Sequence, residues 1–127
     1  MRIDLVFLTL AAAFMVVGVG LGMHMGMSQD FSLSPVHAHI NLIGWASLAL
    51  YGLTYRAYPQ LQRGWLAMAQ LGFSGLGGVL FPIGLYMVLT GGAEQPVLAA
   101  SVLWLIGALI FLGRLVGLWF NKEPQAV

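Results

Sequence analysis

Long apolar segments with almost no charge are the feature that most constrains this fold. A transmembrane helix needs about 20 consecutive apolar residues, and four segments reach that length, at about residues 5–27, 36–58, 65–89 and 97–120. Only 7% of the residues are charged and 60% are hydrophobic, whereas soluble domains carry about 25% charged residues. A water-soluble core of this size could not bury so much apolar surface. The sequence therefore predicts that the lipid bilayer is the solvent.

The backbone of such a chain must satisfy its hydrogen bonds internally, as helices or as a closed barrel. Continuous apolar runs do not show the alternation that is typical of barrel strands. The links between the segments, at about residues 28–35, 60–64 and 90–96, are short, which is typical of antiparallel neighbours in an up-down bundle. We therefore predict an all-α membrane protein, with one domain over residues 1–127 that forms a bundle of four transmembrane helices.

Basic residues are distributed unequally between the two ends of the predicted helices. Arg2 precedes the first segment, Arg56 and Arg63 lie at the second link, and Lys122 follows the fourth segment. The first and third links contain no Lys or Arg. Because Lys and Arg favour the cytoplasmic side, we predict a multi-pass protein of a bacterial inner membrane with both termini in the cytoplasm. Arg114 is expected to reach the same side by extending its long side chain.

Low charge and the lack of cysteine exclude several functions. The net charge is +1, and nothing in the sequence indicates nucleic-acid binding. No cysteine is present, which excludes disulfides, iron–sulfur clusters and thiolate metal sites. Histidine and methionine are therefore the candidate soft ligands.

All three histidines lie near the first link, at the end of the predicted bundle that faces the periplasm. His24 is near the end of the first segment, and His37 and His39 follow Ser34 and Pro35, a pair typical of an N-cap and a first helical position. The positive N-terminus of a helix disfavours imidazolium, and the neutral imidazole is the form that ligates metals. Polar groups inside a membrane helix are costly and are functional candidates.

The spacing of His37 and His39 separates the two rings. Two residues on an α-helix correspond to a rotation of about 200°, so the rings should point to opposite flanks and serve different sites. His37 shares its stripe with Asn41 and Gly44, and His39 shares its stripe with Ile43. Because Gly44 lacks a side chain, we expect a flat recess below His37 in which a planar ligand could lie.

Three glycines form a small-residue stripe on the first segment: Gly18, Gly22 and Gly26. Such a stripe lets another helix approach closely. Packing within the bundle and an interface between protomers both remain open as interpretations of this stripe.

The second segment resembles a helix of a known family, and seven residues carry the resemblance: His37, His39, Gly44, Trp45, Gly52, Tyr55 and Pro59. Their spacing is similar to that of the H-x-H helix in the catalytic subunit of cbb3-type haem–copper oxidases and the related nitric oxide reductases. NnrS-type membrane proteins carry a similar helix. The resemblance covers about 23 of the 127 residues. It implies a haem b cofactor, with His37 in the role of the high-spin ligand and His39 in that of the low-spin ligand.

The resemblance also implies an assembly. The catalytic subunit of that family has twelve helices in three four-helix arcs, and this chain looks like one arc. Haem in the family is held by histidines of different arcs. A homo-oligomer is therefore implied, with a trimer favoured and haem between the second helices of neighbouring protomers.

The chain departs from the family in its catalytic parts. The adjacent His-His pair of the copper site is absent, and the four acidic residues lie at or outside the predicted helix ends: Asp4, Asp30, Glu94 and Glu123. A proton-pumping oxidase is therefore not expected, and whether the protein is an enzyme stays open. The expected use of the haem is electron transport, as in a cytochrome, or binding of a small gas such as NO or O₂.

Two other interpretations remain. In the first, His24, His37 and His39 form a copper or zinc site with nearby methionines, as in a metal-handling or assembly factor. In the second, the chain is a structural membrane subunit without a cofactor.

Overall fold

A computed structural model describes residues 1–120 and shows a chain that is helical, with no strand in that range. The helices are α1 (Ile3–Ser28), α2 (Ser34–His39), a π-helix (Ile40–Ser47), α3 (Leu48–Ala57), a 3₁₀-helix (Pro59–Gln62), α4 (Trp65–Leu89) and α5 (Gln95–Phe120). Three of them, α1, α4 and α5, are long and apolar enough to cross a membrane. This confirms three of the predicted segments as helices of sufficient length and hydrophobicity to span a membrane. Lys122 and Glu123 lie outside the described residues.

The predicted second span is helical from 34 to 57, but it is not α-helical throughout. The π-helix separates α2 from α3, and the sequence analysis, which assumed the α-helical period, did not predict it. The side chain of Asn41 donates from Nδ2 to the carbonyl of His37 at 2.9 Å. That carbonyl is the acceptor that an α-helix offers to the backbone N–H of Asn41. Competition of this kind between asparagine and the backbone is a physical reason for the change of helix type.

Ser34 does not cap the second segment as predicted. It is the first residue of α2, and no side chain caps that helix. Its hydroxyl donates instead to the carbonyl of Phe31 at 2.7 Å, because the preceding turn presents that oxygen within reach. Pro35 does lie in the first turn, as predicted.

The helices pack mainly as two pairs. In the first, α1 packs against the second segment through its π-helix and α3, and in the second, α4 packs against α5. One cluster, here called the aromatic core, contains these buried residues: Ile3, Phe7, Ala11, Leu48, Tyr51, Tyr55, Leu61 and Ala67. The ring centroid of Phe7 lies 5.6 Å from that of Tyr51 and 5.7 Å from that of Tyr55. The Tyr51 ring also lies 4.5 Å from Phe111 of α5, so aromatic contacts join the two pairs.

Charged groups gather at the end of the bundle next to the aromatic core. Asp4 is fully buried in the first turn of α1, where its carboxylate meets Arg2 at 2.8 Å and Arg56 at 3.4 Å. Arg114 reaches the loop before α4 and donates to the carbonyls of Leu61 and Arg63. We call this region the arginine end, and the opposite region, which contains the link between α1 and α2, the histidine end.

Candidate functional site at the histidine end

His37 is anchored on α1 by its ring. The ring is half-buried, and Nδ1 lies 3.0 Å from the carbonyl oxygen of Gly18. A carbonyl only accepts hydrogen bonds, so Nδ1 carries the proton and donates, and Nε2 keeps its lone pair when the ring is neutral. A Cβ added at Gly22 would lie 2.9 Å from Cε1 of this ring. The ring therefore needs the space that the glycine leaves.

Asn41 fills the neighbouring space on the same face. A Cβ added at Gly18 would lie 2.7 Å from Oδ1 of Asn41, and Nδ2 of Asn41 lies 3.5 Å from both ring nitrogens of His37. The glycine stripe thus receives two polar side chains of the second segment. Packing within the chain explains Gly18 and Gly22, whereas nothing lies within 4 Å of a Cβ at Gly26.

His39 faces a different helix. Its Nδ1 lies 2.7 Å from the carbonyl oxygen of Pro35, so this nitrogen also donates and Nε2 again keeps the lone pair. The ring stacks on Phe81 of α4, with the centroids 4.8 Å apart and the planes at 25°. The two rings therefore contact α1 and α4, in agreement with the opposite flanks that their spacing predicts.

The recess expected at Gly44 is filled. A Cβ at Gly44 would overlap with the ring of Phe14 on α1. The expectation of a planar ligand in this recess was wrong for a single chain, because the glycine admits an aromatic side chain from the neighbouring helix. The same glycine allows α1 and the π-helix to approach closely.

His24 stands apart from the other two histidines. It is exposed near the end of α1, and within residues 1–120 no group of three or more His, Cys, Asp or Glu side chains could hold a metal ion. The structure thus does not bring the three histidines together. His24 instead contributes to the environment of Asp30, whose pKa lies below its usual value mainly because the backbone N–H and the hydroxyl of Ser32 interact with the carboxylate.

A buried polar cluster near the arginine end was missed by the sequence analysis. The hydroxyl of Tyr55 donates to Oε1 of Gln70, and the guanidinium of Arg114 lies 5.7 Å from the centroid of the Tyr55 ring. Nε2 of Gln70 and Oγ of Ser74 are buried without a hydrogen-bond partner. The sequence does contain a signal for this cluster, because Gln70 and Ser74 are polar residues four positions apart in an apolar helix and so share one face.

Comparison with protein-family models, curated proteins and solved structures found no match for this chain. Its geometry offers two imidazoles on two flanks of one helical segment, each held by a backbone carbonyl through Nδ1. Each ring can therefore present Nε2 to a metal or to a donor on its own side. A π-helix begins directly after His39, and π-turns within helices frequently occur at functional sites.

Proposed function

We propose that this chain is a haem b-binding integral membrane protein in which His37 and His39 supply axial ligands through Nε2. The observation that carries the proposal is the shared anchoring of the two rings, each through Nδ1–H to a backbone carbonyl. Ligating histidines almost always donate their other ring N–H in this way, which fixes the tautomer and the ring orientation. Imidazole is a standard axial ligand of haem iron.

The donor chemistry of the two histidines fits a haem, but the two rings of one chain cannot hold the same haem. His37 is turned towards α1 and His39 towards α4. Each chain would therefore supply one ligand to a given haem, which is the basis for proposing a homo-oligomer, with a trimer favoured. The second segment has an outward side available for such contacts, since Leu42 is 63% exposed and Trp45 is 39% exposed.

A bound haem would supply electron transfer or reversible binding of NO or O₂. The residues of this chain would hold and orient it. His37 and His39 would provide Nε2. The carbonyl of Gly18 would fix the His37 ring on α1 with Asn41 beside it, and Phe81 would fix the plane of the His39 ring. We do not propose a catalysed reaction for this chain.

The proposal includes four membrane spans in a bacterial inner membrane. The segment from 34 to 57 contains 24 consecutive helical residues, against the roughly 20 that a span requires. Four arginines lie at one end of the molecule: Arg2, Arg56, Arg63 and Arg114. By the bias of basic residues, that end and both termini face the cytoplasm and the histidine end faces the periplasm.

The first experiment is the dithionite-reduced minus oxidised optical spectrum of protein made with ample haem and purified in mild detergent. Sharp α and Soret bands are expected. His39→Ala should lose haem, and His37→Ala should lose it or change its spin state. His24→Ala is the matched control, because it removes an exposed histidine at the same end, and it should keep the spectrum. A flat spectrum from the unaltered protein would refute the proposal.

Two further measurements separate ligation from folding and test the assembly. Added imidazole should restore the Soret band of His39→Gly if the lost ring was a ligand. Co-expression of His37→Ala with His39→Ala should restore part of the absorbance, because mixed oligomers would contain intact ligands on facing protomers. A monomeric mass for the haem-loaded protein would contradict the shared site.

One observation favours a second candidate, a structural subunit without a cofactor. The ring of His37 finds its partners within the chain, at the carbonyl of Gly18 and near the amide of Asn41. In that case His37→Ala would lower stability, and the purified protein would be colourless and free of stoichiometric iron. Metal analysis of the same sample distinguishes this outcome from a copper or zinc protein.

A further inference from the structure

A pocket of about 730 Å³ opens at the arginine end, between the 3₁₀-helix, the start of α4 and the last turns of α5. Its wall is partly polar and partly apolar, and it includes Tyr58, Leu61, Arg63, Leu66, Arg114 and Gly117. It lies on the side of the molecule away from the histidines, and the proposed haem site does not use it.

Two arginines give this pocket a positive charge. Within residues 1–120, the ion pairs join Arg2 and Arg56 to Asp4, and no carboxylate of that range pairs with Arg63 or Arg114. Arg114 donates to the carbonyls of Leu61 and Arg63. These contacts hold its guanidinium beside the pocket without neutralising it. Arginine is the side chain best suited to recognise phosphate.

Apart from Arg114, the part of the wall that α5 supplies is apolar and open. Leu109, Ile110 and Leu118 line it together with Gly113 and Gly117. A Cβ added at either glycine would meet nothing within 4 Å, so the pocket continues along α5 as an open apolar groove, here called the channel. The exposed ring of Trp119 stands beside it, in a second, smaller depression with Tyr58. Tryptophan and tyrosine are enriched where the bilayer meets water.

We propose that this pocket binds an anionic phospholipid of the surrounding bilayer. Its phosphate would lie on Arg63 and Arg114, and one acyl chain would follow the channel at Gly113 and Gly117. Basic pockets between transmembrane helices recognise anionic headgroups in this way. A lipid fits better than free phosphate, because the charged part of the wall continues directly into an apolar channel that a free anion would leave empty.

The test measures binding of dioleoylphosphatidylglycerol to the full chain in dodecyl maltoside by native mass spectrometry. Dioleoylphosphatidylcholine and inorganic phosphate are the comparison probes. Arg63→Gln should weaken binding of the anionic lipid about fivefold, the effect of one basic group near a headgroup. Gly117→Leu should weaken it as well, by filling the channel. Arg63 is exposed and Gly117 has open space, so both variants should fold.

Two matched controls locate the effect. Arg56→Gln removes an arginine at the same end that does not line the pocket, and Gly20→Leu adds a side chain where nothing lies within 4 Å on α1. Both should bind the lipid as the unaltered chain does. Equal losses in Arg56→Gln and Arg63→Gln would overturn the proposal in favour of diffuse charge. Binding of inorganic phosphate as strong as that of the lipid, or a dimer that occupies the pocket, would overturn it too.

Discussion

The two ends of this molecule are held together by different kinds of contact. At the arginine end, large aromatic side chains interlock, as Phe7, Tyr51 and Phe111 do. At the histidine end, glycines of α1 receive the polar side chains of His37 and Asn41. The arginine end is therefore held by aromatic packing together with the ion pairs of Asp4 and the hydrogen bonds of Arg114. The histidine end is held by close backbone approach and the hydrogen bonds of the histidine side chains.

This difference has a physical reason in a bilayer. Lipid tails are as apolar as leucine, so helices gain little from the hydrophobic effect and associate through van der Waals packing and hydrogen bonds. At the arginine end, interlocking aromatic rings provide van der Waals packing. At the histidine end, imidazoles that reach backbone carbonyls provide hydrogen bonds. The hydrogen bonds at the histidine end use Nδ1 of each ring, and the haem ligation proposed above would use Nε2. The haem site that we propose lies at the histidine end.

The largest effect is expected from Phe7→Ala in the aromatic core. Phe7 is fully buried between Tyr51 and Tyr55, and its removal leaves a cavity worth about 3 kcal/mol of unfolding free energy. Unfolding by SDS titration in detergent measures the loss. Phe120→Ala is the control, because Phe120 is 79% exposed and should change little. A small loss for Phe7→Ala would show that this end does not depend on shape.

A smaller but more local effect is expected on the glycine stripe. Gly22→Leu places side-chain atoms where the His37 ring lies, and the ring must move off the carbonyl of Gly18. Overpacking of this kind costs about 1–3 kcal/mol. Gly26→Leu, one turn further along the same stripe, meets open space and should stay within about 0.5 kcal/mol of the unaltered chain. Equal effects in the same SDS titration would mean that the His37 contact is not specific.

The buried polar pair provides the third prediction. Tyr55→Phe leaves Oε1 of Gln70 without its donor, at a cost of about 1 kcal/mol. Gln70→Met removes the amide, whose Nε2 already has no partner, but it leaves the Tyr55 hydroxyl without its acceptor, so the two effects on the unfolding free energy should roughly cancel. Tyr55→Phe should then cost less in the Gln70→Met background. Strict additivity in a double-mutant cycle would show that the two side chains are not coupled.

The sequence was sufficient to predict the helices whose positions depend on composition and on the helical period. Three spans follow from apolar length, and α1, α4 and α5 begin and end within two residues of the predicted bounds. The opposite flanks of His37 and His39 follow from the helical rotation between them. These properties are local, so a single segment of sequence is sufficient to predict them.

Contacts between segments could not be read from the sequence in the same way. A glycine leaves space, but it does not indicate whether that space is filled or which side chain fills it. Phe14 fills the space at Gly44, and Trp104 lies 3.3 Å from a Cβ at Gly78. At the start of the π-helix the side chain of Asn41 competes for one backbone carbonyl, and the apolar period of the sequence does not show such a competition. The burial of Asp4 between two arginines also depends on two segments coming together, the start of α1 and the end of α3.

The smallest predicted effect concerns the link that leads into the histidine end. The carboxylate of Asp30 accepts a hydrogen bond from the backbone N–H of Ser32 at 3.0 Å, which lowers the pKa of Asp30 in the folded chain. A lowered folded pKa contributes stability that is present above the unfolded value of about 3.9 and is lost as the pH falls through the folded value. The difference in unfolding midpoint between the unaltered chain and Asp30→Asn should therefore be small above pH 4 and shrink below it. Parallel pH curves for the two proteins would mean that the link is not held by this carboxylate. A small effect here beside a large one for Gly22→Leu would indicate that the contacts of His37 with α1, and not the charged link, fix the histidine end.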